Sequence, residues 1–388
     1  MEYSQQGTTA ASRYETLVSD RSTYDREAKE SSKLTIPSLI PEQTSGTRAR
    51  IKTPFQATGS RGVNSLSNKL LMTLLPPSTA FFKLEIDDLE IKKQGQDEFQ
   101  SEIDKGLRTI ENALMNQIEI SNDRVAMFEA IKHLVVSGNV LLYLTDKGLK
   151  VYPLSKFVCK RDEVGNVLEI LTKETVHPQA LPLDFLEQIK KKENYDAKTM
   201  ESDLDIYTYI KRMNDDVIWY QECKGEKIPN TDGRSKIDVT PWIPLRFIRV
   251  DGEDYGRGYV VNPNGVTRAS TLAKAPNGAV REGLATDISV MQVGKSADFS
   301  VAFSAIQRIE QRLEFAFLMA RSVQRDAERV TAAEINLMAQ ELENSLGGIY
   351  SILTQEFQLP YLRRRMHMLV RAGKVPKLPD DLVKPKIV

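Results

Sequence analysis

Three arginines, Arg321, Arg325 and Arg329, recur four apart in MARSVQRDAERVTAAE, a short run with almost nothing to bury between two segments that each carry a helical apolar stripe. Guanidinium groups in such a break serve charge-assisted hydrogen bonding, either to an anion or to carboxylates of the same or a neighbouring chain. Asp326 and Glu328 keep the local charge small. No other constellation assembles into a reaction centre. The only Gly-Lys-Ser, Gly294 to Ser296, has Ser289 where a phosphate-cradling loop needs a glycine. His133, His177 and His367 are far apart, none lies at metal-binding spacing, and there is no G-x-S-x-G elbow. The pairs Asp87-Asp88, Asp215-Asp216 and Asp380-Asp381 sit in polar turns, and Cys159 and Cys223 have no partner at zinc spacing. The expectation is a non-enzyme without metal or cofactor.

The composition sets limits on partners. The chain has 388 residues, 41% of them hydrophobic, enough for two or three domains with a sizeable core. Lys and Arg total 53 and so do Asp and Glu, so any nucleic-acid contact must come from local charge. No apolar run approaches the ~20 residues that cross a bilayer, and the start MEYSQQGTTAAS is polar, unlike a signal peptide. A reducing cytoplasm and no membrane are expected.

The elements that would hold the arginines follow from periodicity. Tyr14, Leu17, Val18, Arg21, Tyr24 and Ala28 recur at helical spacing up to the prolines of TIPSLIP. GSRGVNSLSNKLLMTLL predicts a second helix, and Ile103, Leu107, Ile110, Leu114 and Ile118 a third. Another runs through Val125, Phe128, Ile131 and Val135 to Gly138. Then the period becomes two: VLLYL, LKVYPL, FVCKRD and VLEILTKE predict strands, with EVGN as a turn, and DIYTYIKRM, DVIWYQEC and PWIPLRFIRV resume the pattern after a charged stretch, Leu186 to Asp203, expected as a surface helix or loop. Helices and strands are segregated, which is the α+β class. From Asp298 one apolar stripe, Phe299, Ala302, Ile306, Ile309, Leu313 and Ala316, predicts a helix to about Ala320, and Thr331 and Glu334 form a capping box that starts another, with Ile335, Met338, Leu342, Leu346, Ile349, Leu353 and Phe357 buried, up to Pro360. The arginine break is thus specified from both sides.

Four blocks, IKTPFQATGSRGVNSLSNKLLMTLLPP, FEAIKHLVVSGNVLLYL, PWIPLRFIRVDGEDYGRGYV and RVTAAEINLMAQELENSLGGIYSILTQEFQLP, resemble, in order, the portal or head-to-tail connector of T7-like short-tailed phages. The resemblance implies a ring of twelve subunits at one capsid vertex, a non-enzymatic conduit through which a terminase packs double-stranded DNA and through which DNA leaves. Its parts would be an α+β wing over residues 1–257, a small α/β clip with a remnant of the first stem segment over 258–297, a second stem helix over 298–320, a tunnel loop over 321–330, and a long wing helix over 331–388 leading toward a crown. On that scheme Arg321, Gln324, Arg325 and Arg329 meet DNA in the channel, Arg308 and Arg312 are stem residues facing it, and Asn262, Arg268, Lys274 and Arg281 dock the terminase and then the tail adaptor at the clip. Capsid, scaffold and internal core proteins would be further partners, and the virion the final location, after assembly in the host cytoplasm.

Two departures accompany the resemblance. DGEDYGRGYV runs directly into VNPNGVTR, where the family has its first stem helix, and no crown follows the long helix. Either the chain has lost both parts, or a segment is missing between Val260 and Val261; the second, which is preferred because a lone stem helix would leave its apolar stripe uncovered, requires a Cα separation beyond the ~3.8 Å of a trans peptide. The apolar stripes of residues 298–358 imply extensive contacts between subunits, above the ~1,000 Å² of a stable interface. A head-completion or tail-adaptor protein is the structural alternative, and a packaging ATPase or nuclease the enzymatic one; the defective phosphate loop speaks against the latter.

Overall fold

The structure is a computed structural model that describes residues 9–41, 57–77, 80–86, 97–162, 165–193, 203–247, 306–314, 316–317, 349–375 and 383–387. The chain packs as two compact units, Met1–Ile248 with Ala316–Val388, and Arg249–Phe315. The architecture is α+β, and among the described residues every strand pair is antiparallel.

In the larger unit the helices are α1 (Ala10–Asp20), α2 (Ser22–Leu34), α3 (Thr58–Leu74), α4 (Asp97–Ile120) and α5 (Asp123–Ser137). The strands β2 (Asn139–Thr145), β3 (Gly148–Pro153) and β10 (Trp242–Arg246) form a sheet in the order β10-β2-β3. A larger sheet runs β4 (Phe157–Arg161), β5 (Val167–Val176), β6 (Leu204–Met213), β7 (Asp216–Cys223) and β8 (Glu226–Lys227), with β9 (Gly233–Lys236) also on β7. A helix α6 (Leu183–Glu193) connects β5 to β6.

Strand β2 explains how the layers join. Successive side chains of a strand point to opposite faces, so Val140, Leu142 and Leu144 enter the helical core with α3, α4 and α5, while Leu141 enters a second core with Phe157, Ile170, Ile210 and Trp242 from the neighbouring sheet. Val140, Leu141 and Leu142 are all fully buried, so the run VLLYL reads as continuous apolar sequence and not as alternation. Helix α5 ends at Gly138, whose φ of 72° is the left-handed cap that glycine adopts without cost, and the chain turns directly into β2.

Several expectations need correction. The first apolar stripe is two helices, because Arg21 breaks it and donates to the backbone carbonyls of Leu154 and Phe157. Helix α5 buries Met127, Ala130, Ile131 and Leu134, whereas Val125 is 67% exposed. Apolar residues occupy most of this helix's circumference, so periodicity alone selected a neighbouring stripe. The charged stretch after Leu183 is more than a solvated face: Phe185, Leu186 and Ile189 pack with Leu204, Ile206, Cys223 and Ile228. Pro360 does not end the last helix. α8, residues 349–371, passes from an α-helical start (Ile349–Leu353) through a π-helical turn (Thr354–Gln358) to an α-helical end (Leu359–Arg371). Proline has no N–H for the carbonyl four residues back, and the wider turn, closed by the Leu359 N–H on the Thr354 carbonyl, absorbs the fault. Finally, β1 (Phe82–Ile86) pairs with β11 (Val383–Ile387), two strands that sequence reading missed.

The helical core closes around a buried ion pair. Asp123, at the start of α5, and Arg365, in α8, are 0% and 2% exposed, and the Arg365 guanidinium donates to the Asp123 carboxylate through Nε and Nη2. The Tyr361 hydroxyl donates to the same carboxylate, and the Leu149 N–H reaches its other oxygen at 3.0 Å. Burial and the adjacent carboxylate push the Tyr361 phenol well above its ordinary range, so it stays a donor. Replacing Arg365 by methionine should cost on the order of 3–5 kcal/mol in urea unfolding, because a carboxylate is left buried without its counter-charge. A loss below about 1 kcal/mol, the range of a surface pair, would show that the pair is dispensable.

Candidate nucleic-acid interface

The tunnel-loop candidates Arg321, Gln324, Arg325 and Arg329 and the clip candidates Asn262, Arg268, Lys274 and Arg281 lie outside the described residues. So do Val260 and Val261, the capping box at Thr331 and Glu334, and the long apolar stripe up to Leu346. Arg308 and Arg312 are described. They lie on helix α7, residues 306–314, in the smaller unit, and both are exposed. Ile306 and Ile309 of the same helix are 52% and 56% exposed, so these two apolar side chains lie at the surface of the chain.

The larger unit offers one concave feature of note, a cleft of about 300 Å³ between β5, β10 and α8, lined by Leu168, Ile210, Trp242, Pro360 and the rim residues Asp238 and Arg363. Its charged groups are committed to neighbours. Burial opposes ionisation of Glu169, but hydrogen bonds from Arg13 and from the Tyr209 hydroxyl at 3.0 Å outweigh it and hold the carboxyl below its usual range. Glu356 faces Arg246 at 3.5 Å, and Asp238 faces Arg363 at 3.8 Å. Glu169, held ionised in this way, is a poor general acid.

The remaining candidate nucleophiles and ligands are structural. Cys159 and Cys223 are not joined in a disulfide, and burial pushes the Cys159 thiol up to about 11, away from thiolate chemistry. His133 is 5% exposed inside the helical core, and burial lowers its pKa to about 4. Among the described residues no group of three or more His, Cys, Asp or Glu side chains is placed to hold a metal, and no helix is long and apolar enough to cross a membrane.

Comparison with known proteins decides the family. The model for "Bacteriophage head to tail connecting protein" matches residues 7–265 and 259–388. This chain belongs to the phage head-to-tail connector family. It is 38% identical to the portal protein of Escherichia phage T7 over 417 aligned positions, covering 97% of this chain and 77% of that protein. Identity to the portal protein of Enterobacteria phage T3 is 37% over 416 positions, with the same two coverages of 97% and 77%. With the portal protein of Enterobacteria phage SP6 it is 28% over 431 positions, covering 100% of this chain and 80% of the relative. All three alignments are longer than the 388 residues available, so each portal carries residues without a counterpart here. The family match divides at residues 259–265, which is where sequence reading found no first stem helix.

Nothing in the sequence around His133 or Asp123 signalled burial; both sit in an ordinary-looking helix, and only the three-dimensional packing of α8 and α5 reveals it. The sign of the His133 effect on stability follows from its lowered pKa. Its neutral form is favoured in the folded chain, so its contribution is complete above the unfolded value near 6.5 and is lost as pH falls toward about 4. Unfolding free energy should drop by about 2 kcal/mol between pH 7.5 and pH 5 on this account, and His133→Leu should flatten that part of the urea-denaturation profile. An equally steep profile in the variant would assign the loss to other groups.

Proposed function

We propose that this chain forms a ring-shaped channel, of twelve copies, at one vertex of a phage capsid. Double-stranded DNA enters through it during packaging, is retained behind it, and leaves through it. The observation that carries this reading is the 38% identity to a T7 portal protein across nearly the whole chain, together with a family model that names a head-to-tail connection. The comparisons name no catalytic family, which agrees with a conduit whose motor is a separate terminase.

In this reading residues 1–257 are the wing, residues 258–297 the clip with a remnant of the first stem segment, α7 part of the second stem helix over 298–320, residues 321–330 the tunnel loop, and α8 part of the long helix over 331–388 that leads toward a crown. Asn262, Arg268, Lys274 and Arg281 present the clip surface to terminase and then to the tail adaptor. Capsid, scaffold and internal core proteins meet the ring from the head side, and the mature location is the virion. A loop that leans on moving DNA must offer charge without reading bases, and Arg321, Arg325 and Arg329 meet that requirement while Asp326 and Glu328 keep the grip weak. Phosphate contact of this kind is independent of sequence and weakens with salt, as sliding demands.

Electron microscopy of the purified chain tests the class: rings with a central hole are expected, and a monomer at micromolar concentration would refute it. The triple replacement of Arg321, Arg325 and Arg329 by glutamate should leave ring formation and capsid docking intact while DNA filling or retention falls at least tenfold. Dissociation of that variant into smaller species by native mass spectrometry would instead assign these arginines to contacts between subunits.

A further inference from the structure

Helix α7 carries a segregation of charge that the channel does not account for. With 3.6 residues per turn, Arg308 and Arg312 form one row, Glu310 and Glu314 a second row about 160° around the helix, and Gln307 and Gln311 separate them on one side. Ile306, Ile309 and Leu313 separate them on the other. Within residues 306–314 no opposite charges stand three or four apart, whereas like charges stand four apart twice, an arrangement that destabilises an isolated helix. Arg308, Glu310 and Arg312 are exposed and Glu314 half-exposed, and among the described residues none of the four has an ion-pair partner.

Resting on the ring reading above, we propose that α7 packs beside α7 of a second copy, the Arg308/Arg312 row of one against the Glu310/Glu314 row of the next. In a closed ring every subunit has neighbours on two nearly opposite sides, and a head-to-tail interface joins two different surfaces of the same chain. Two rows of opposite sign about 160° apart are what such a contact requires: one geometry satisfies both. A duplex in the channel would engage the arginine row alone and leave the glutamates without a role. The assignment therefore moves Arg308 and Arg312 from the channel wall to the seam between subunits, and leaves the uncharged Gln307 and Gln311 on one radial side of the helix.

Charge reversal in the full chain tests it by native mass spectrometry at low salt. R308E/R312E makes both rows negative and E310R/E314R makes both positive, so each alone should raise the concentration needed for rings at least tenfold. An equimolar mixture of the two should assemble, with both variants in each ring, because unlike rows meet again; the fourfold swap in one chain should assemble by itself. Rings of R308E/R312E at the wild-type concentration would overturn the proposal, and so would failure of the mixture, which would mean that the single variants fail through folding. If the wild-type chain itself forms no ring, the channel reading falls first, and the two failures are told apart.

Discussion

The carboxylate of Asp123 governs the larger unit. It is wholly buried at the N-terminus of α5, where the helix dipole favours a negative charge, and it must be met by positive charge and donors that no local segment provides. Arg365 and Tyr361 come from α8, more than two hundred residues later, and the Leu149 N–H comes from β3. Satisfying one carboxylate thus fixes the positions of a helix start, a strand and the last helix relative to one another. The π-helical turn belongs to the same requirement. It carries α8 past Pro360 without ending it, so that Tyr361 and Arg365 can arrive in register, and Gln358 at its end donates to the Leu74 carbonyl at 2.8 Å, tying α8 to α3 as well.

Much of this was legible in the chain because the physics is local. The helical spacing of α3 and α4 and the short apolar runs of β2 through β7 follow from local side-chain pattern, and proline or glycine marks several of their ends. What escaped depends on distant partners. Arg21 resembles any helical arginine until the Leu154 and Phe157 carbonyls lie beside it. Asp123 looks like an ordinary N-terminal acid, and Arg365, within LRRRMH, looks like one solvated cation among several, yet they are the two ends of the buried pair. Strand β11 contains Pro385 and only pairs because β1 is there to receive it. The arginine break and the clip, which carry the proposed DNA and docking roles, rest on sequence and family resemblance, while the charge rows of α7 are visible in the structure.

The two units treat charge differently. The larger one buries the Asp123–Arg365 pair, holds His133 neutral, and rims the cleft beside Trp242 with ion pairs. Helix α7 does the reverse, holding apolar and charged side chains at the surface of its own chain. The larger unit satisfies its central charge within its own core, whereas the charges of α7 find no ion-pair partner among the described residues.

The pairing of β1 with β11 also bears on the order of synthesis. Phe82–Ile86 leaves the ribosome some three hundred residues before Val383–Ile387 can cover it, and for that interval it is a strand edge with unpaired backbone donors and acceptors. A chain interrupted after α7 would already display the charged rows of that helix while its first strand still lacked a partner. Only a polypeptide translated through residue 387 can therefore close the two-stranded sheet that Phe82–Ile86 begins.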